Sequence, residues 1–102
     1  MTALTSGDEQ RAAEFVAATL GRLAEDSANA ARLRETLRVY LDVADNAPAA
    51  AARLHLHRNT VLQRVAKATE LLGYEIGDRR LALTLALELA HRLGPRMLVS
   101  PS

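Results

Sequence analysis

PAAAARLHLHRNTVLQRVAKATELLG, running from Pro48 to Gly73, is the stretch on which the fold turns. It opens with four alanines, Ala49 to Ala52. It bends around His55 and Leu56, then resumes with apolar residues three and four apart up to Leu72. Two helices meeting at roughly 90–120° through a turn of three or four residues need small side chains where they approach, and the alanine run supplies them. Leu54 and Leu56 flank the bend and are expected to point into the core. Val61 follows five residues after Leu56, where a second helix would pack back. Asn46 is a plausible N-cap for the first of the two helices, and Pro48 is tolerated in its first turn because its missing N–H has no helical partner there. Gly73 fits the C-cap of the second.

The second helix, expected from His57 or Arg58 to Leu72, can be unrolled at about 100° per residue. With Val61 at the origin, Val65 falls at about 40°, Ala68 at about 340° and Leu72 at about 20°, a narrow stripe for burial. On the other side lie Asn59 at about 160°, Gln63 at about 200°, Lys67 at about 240° and Thr60 at about 260°. Glu70 also faces outward, further along. From His57 to Ala68 there is no acid, while Arg58, Arg64 and Lys67 are basic. Asn and Gln make paired hydrogen bonds to adenine, and Thr bonds to bases or touches a thymine methyl. A recognition helix lays its N-terminal residues in the major groove, and its positive dipole end favours phosphate.

Around this centre the same spacing continues. Asp8 to about Asp26 reads as a first helix with an acidic start, its apolar face formed by Ala12, Phe15, Val16, Thr19, Leu20 and Leu23. Ser27 or Asn29 caps a second, reaching about Ala44 through Leu33, Leu37, Tyr40 and Leu41. Asp78 starts a fifth that ends at Leu93, before Gly94 and Pro95. No segment alternates with period two for long enough to be a strand. Residues 1–7 are expected to be a flexible lead-in, residues 8–94 one helical domain with its helix-turn-helix at 47–73, and residues 95–102 a flexible tail.

The 102 residues suit a single domain. Apolar residues are 49% and aromatics 3%, mostly Ala, Leu and Val, which favours an all-α fold of about five helices. There is no cysteine, so disulfides, thiolate metal sites and cysteine nucleophiles are excluded, and a reducing cytoplasm is compatible. No apolar run approaches the ~20 residues that span a bilayer. The net charge of +1 hides an asymmetry: residues 1–46 carry eight acids against five arginines, and residues 47–102 eight bases against four acids. A basic C-terminal half suits a polyanion.

Two outward basic residues have alternative roles on this reading. Arg64 borders the buried stripe, placed either to bind phosphate or to pair with an acid of another helix. Arg58 suits a phosphate or a base. Arg53, on the preceding helix, is a weaker phosphate candidate. His57 is expected to cap the second helix or touch phosphate. His55 suits a bend position where a positive φ is needed. His55, His57 and His91 lack the spacing and companions of a metal site, and no phosphate loop, nucleophile elbow or carboxylate pair is present. No enzyme activity, metal or cofactor is expected. In the fifth helix, Leu81, Leu85, Leu89 and Leu93 form one apolar stripe, with Leu83, Leu87 and Ala90 nearly opposite. Two apolar sides need two partners. One is the rest of the domain; the other is a second subunit or the first helix wrapping back. An oligomerisation or protein-interaction module using residues 78–93 is therefore the alternative to DNA binding.

Three blocks resemble a known family: LRETLRVYLDVADN (Leu33–Asn46), AARLHLHRNTVLQRV (Ala51–Val65) and LLGYEIGDRRLALTLALELA (Leu71–Ala90). Their combination of TL-x-x-YL with L-H-x-H-RNTV is similar to the C-terminal helix-turn-helix domain of PucR/CdaR-type regulators, and FVAATLGRLAEDSANAARL resembles the lead-in to that domain. The resemblance implies a bacterial transcription regulator with a Fis-like helical fold that binds double-stranded DNA. A homodimer is expected on separate grounds: one recognition helix reads only a few base pairs, and two copies roughly 34–36 Å apart on a two-fold axis would double the length read. It implies motif roles for His57, Arg58, Asn59, Thr60 and Arg64. Gln63 departs from the pattern, where an aromatic often precedes the arginine. Members are usually longer, so any small-molecule effector is expected to act through upstream domains that this chain lacks.

Overall fold

The computed structural model describes residues 6–101. Five helices follow in order: α1 (Ser6–Leu20), α2 (Ala28–Asp42), α3 (Ala47–Leu54), α4 (Arg58–Leu72) and α5 (Arg80–Leu93). Among the described residues there is no strand, only one parallel bridge pair, Glu25 with Val99. The all-α expectation therefore holds. The first five positions of the expected lead-in, and Ser102, lie outside the described residues, and α1 starts two residues earlier than Asp8.

Each helix boundary has a local cause. Gly21, at φ +54°, breaks α1 well before the expected Asp26 and starts a single 3-10 turn, Gly21–Ala24. Ser27 rather than Asn29 caps α2, accepting from the Ala30 N–H at 3.2 Å. α2 stops at Asp42, short of Ala44, because Ala44 and Asp45 both turn to positive φ, and the Asp45 N–H returns to the Tyr40 carbonyl at 2.9 Å. Asn46 caps α3 as expected, accepting from Ala49 at 3.1 Å, and Pro48 sits in its first turn. A second 3-10 turn, Ile76–Asp78, delays α5 to Arg80.

One core joins all five helices. α2 packs on α4, α1 on α5, and α3 against both α2 and α4. Val16, Leu20, Leu23, Leu37, Val61, Ala68 and Leu83 are wholly buried within it. Two tertiary contacts secure the ends of helices. The Tyr74 hydroxyl donates to the Thr19 carbonyl at 2.7 Å, reaching a C-terminal carbonyl group of α1. Burial raises the Tyr74 phenol above its ordinary range, against the Arg79 charge, whose guanidinium lies 5.0 Å from the ring centre. Arg80 donates to both carboxylate oxygens of Asp45, at 2.8 and 3.0 Å, and holds that carboxyl below its usual range.

The C-terminal segment differs most from expectation. Rather than extending free from residue 95, it forms a 3-10 turn, Gly94–Met97, and docks. Met97 is 1% exposed and fills the core beside α1 and α5. The Val99 N–H donates to the Ala24 carbonyl at 2.9 Å, and the Asp26 N–H to the Val99 carbonyl at 2.7 Å. The physical reason is a methionine with a core vacancy to fill and two loop backbone groups in need of partners.

Candidate nucleic-acid interface

α3 and α4 make the expected bend. His55 sits in the left-handed region (φ 57°, ψ 43°), and its N–H and that of Leu56 both return to the Ala51 carbonyl. Leu54 and Leu56 are half-buried against the core. The small residues work as the sequence suggests: Ala47, Ala50 and Ala51 of α3 and Ala68 of α4 are all buried. His57 then caps α4, its Nδ1 accepting from the Asn59 N–H at 3.1 Å. That bond gives His57 the capping role, because it supplies an acceptor to an N–H of the first turn that has no partner within the helix.

The unrolled pattern of α4 matches its burial. Val61, Val65, Ala68 and Leu72 are buried. Arg58, Asn59, Gln63 and Lys67 are exposed, and Thr60 is half-buried. The side chains of Arg58, Asn59 and Gln63 make no hydrogen bond or ion pair within the described residues, so their donors and acceptors face solvent uncommitted. Lys67 lies 4.0 Å from Glu70, both well exposed, a pairing too open to water to hold the ammonium back from another anion.

Two of the eight residues singled out by sequence reach side chains of α2. Among the described residues Arg64 finds no acid as partner. Its Nη1 donates to the Thr36 hydroxyl of α2 at 3.5 Å, and that hydroxyl donates in turn to the Arg32 carbonyl at 2.9 Å. Arg64 is half-buried at the α2–α4 seam, apart from the exposed group. Arg53 forms an ion pair with Asp42 at 2.5 Å, on a surface where roughly half of each side chain is open. The exposed face also carries two residues the sequence reading left out, Leu62 and Ala66. Leu62 keeps 47% of its surface exposed, and Ala66 is exposed. The same rotation per residue that located Asn59 and Gln63 places them beside those amides. Apolar character alone assigns such residues to the buried side, so composition does not single them out.

α5 resolves its two apolar sides unevenly. Leu83, Ala86, Leu87 and Ala90 face the core. Leu89 and Leu93 are half-buried, on the helix that packs against α1. Leu81 and Leu85 remain 86% and 51% exposed. Among the described residues, no three His, Asp or Glu side chains converge as metal ligands, and no helix is long and apolar enough to cross a membrane.

The match to known proteins falls on the same elements. Residues 33–90, from α2 through most of α5, match the PucR C-terminal helix-turn-helix domain. The chain is 40% identical over 76 residues to the purine catabolism regulatory protein of Bacillus subtilis (strain 168), an alignment covering 74% of this chain and 14% of that protein. No solved structure matches the chain. The bend, the caps and the matched residues together make this chain a member of the PucR C-terminal helix-turn-helix family, a family of DNA-binding transcription regulators.

Proposed function

We propose that the chain is the DNA-reading part of a cytoplasmic transcription regulator, and that it binds a specific duplex site with α4 in the major groove. The observation that carries this is the exposed, uncommitted group of Arg58, Asn59 and Gln63 on α4, its two amides on the side opposite the buried stripe. In this reading Asn59 and Gln63 contact bases, with Thr60 beside them, while Arg58, Lys67 and the capping turn at His57 contact phosphates. Arg53 serves as an outlying phosphate contact once Asp42 releases it, and Arg64 sets the angle of α4 against α2. The reading assigns no catalytic step. Signals reach the domain through parts of a longer regulator, as the small share of the Bacillus protein that this chain covers suggests.

The test is binding to duplexes selected from a random pool, measured by fluorescence anisotropy across a salt series. Affinity should fall steeply with salt as counterions are released. Asn59→Ala should cost about 1–3 kcal/mol on the selected site and relax its base preference. Lys67→Ala should weaken every sequence alike and reduce the salt slope by about one. Equal affinity for selected and random duplexes would refute specific reading.

A second reading rests on Leu81 and Leu85. Two exposed leucines one turn apart suit a homodimer contact, and a two-fold pair of α4 helices roughly 34–36 Å apart would read two half-sites. Leu81→Glu should leave the helical content intact and abolish any dimer seen by sedimentation. If self-association persisted in that variant, this face would not be the contact.

A further inference from the structure

Asn59, Leu62, Gln63 and Ala66 stand at positions i, i+3, i+4 and i+7 of α4, so they share one stripe. All four are exposed. Unrolled from Val61, the stripe is centred at about 150°, with Arg58 at about 60° and Lys67 at about 240°. The two cations therefore flank it on opposite sides, each about 90° away. That arrangement suits a helix whose edges meet the two phosphate walls of a groove while its centre meets the base edges.

Resting on the reading of α4 as the DNA-contacting helix, we infer that this stripe is built for A·T pairs, with Leu62 the residue that senses thymine. Each base exposes its own chemistry in the major groove. Guanine is met by Arg or Lys, cytosine by Asp or Glu, adenine by the amides of Asn or Gln, and the thymine methyl by an apolar group. The stripe holds two amides and two apolar side chains. It holds no cation and no acid: the arginine and the lysine sit on its flanks, and Glu70 comes after it.

The half-exposed leucine has a use on this reading. Its neighbours Val61 and Val65 are buried, at 0% and 9% exposure, whereas Leu62 keeps 47% of its surface in water. Single exposed leucines are common. This one stands three residues after one outward-facing amide and directly before the other, toward the Arg58 edge of the stripe, and Ala66, one turn on, ends at Cβ. A longer side chain at 66 would hold the helix off the groove floor. With alanine there, Leu62 can come within van der Waals reach of a methyl group.

The test uses the 102-residue chain, the duplex it selects from a random pool, and copies of that duplex in which each thymine in turn is replaced by deoxyuridine. That exchange deletes one methyl group and leaves every hydrogen-bonding group in place. The selected half-site should be A·T-rich at its centre. One deoxyuridine position should weaken binding about fourfold, the worth of one buried methyl group. Leu62→Ala should bind the thymine and deoxyuridine duplexes equally well. The wild-type series stands without the variant, so a folding defect in Leu62→Ala would not obscure it. If G·C pairs occupied the contacted centre, or if every deoxyuridine duplex bound as tightly as its parent, the assignment to A·T and Leu62 would be overturned while DNA binding stood. Absence of binding to any duplex would overturn both.

Discussion

Replacing Met97 by alanine tests whether the C-terminal segment is part of the fold. The side chain is 1% exposed, so nearly all its apolar surface is withdrawn from water. Truncating a buried methionine costs about 2–5 kcal/mol, through lost transfer free energy and the cavity left behind. Methionine fills irregular gaps that neighbours can partly close, which places the expectation near the lower end, at about 2–3 kcal/mol. For a domain of this size each kcal/mol lowers the midpoint by about 4–8 °C, so Tm should drop by roughly 10–20 °C. Helical circular dichroism during heating, with a parallel urea series, reads this directly. Val99→Ala is the internal control: Val99 is 50% exposed, and its contribution to docking comes from backbone hydrogen bonds that alanine keeps. It should cost less than about 1 kcal/mol. A Met97→Ala protein within about 0.5 kcal/mol of wild type would mean that the segment does not belong to the core.

Tyr74→Phe should cost about 1–2 kcal/mol, since it deprives the Thr19 carbonyl of its donor while keeping the ring; urea unfolding measures it. The Tyr74 phenol is raised in the folded state, so its contribution is present below the unfolded pKa near 10 and fades as pH climbs beyond it; Tyr74→Phe should flatten that alkaline loss. Asp45 is depressed by Arg80, so its contribution is present above the unfolded carboxyl pKa of about 4 and is lost as pH falls through the lower folded value. Both side chains are about 40% exposed, which limits the gain to less than about 1 kcal/mol, and Asp45→Asn should remove that part of the acid dependence. Ala44→Gly should stabilise the domain by up to about 1 kcal/mol, because alanine is strained at φ 54°, less what the freer glycine chain costs; a fall in Tm would contradict this.

The bend and both its flanking helices were legible because each rests on local chemistry. Alanines at a close approach, a proline in a first turn, a residue able to take positive φ, and a glycine after the last apolar position act over a few residues. The exposed face of α4 followed from rotation alone. The misreadings came where distant parts decide. Nothing near Met97 announces that the core has room for it, so a short polar-flanked segment looked like a free tail. The ends of α1 and α2 depended on Gly21 and on the Ala44–Asp45 turn, which apolar spacing does not register. For Arg64, spacing allows either phosphate or an internal acid, and its partner is neither: it is a threonine hydroxyl 28 residues earlier.

The alanine contact between α3 and α4 reaches beyond packing. α4 has 15 residues, a rod of roughly 22 Å. On the α3 side the buried residues that support it, Ala47, Ala50 and Ala51, end at a single carbon, so one added methyl at Ala50 would act as a wedge beneath a long lever. A tilt of about 5° there swings the far end by on the order of 2 Å, more than a hydrogen bond tolerates. If α4 reads DNA as proposed, substitutions at a wholly interior position thus change which letters the outer surface spells out. Diversification of binding preference in such a domain can proceed from the inside, with every exposed amide left as it is.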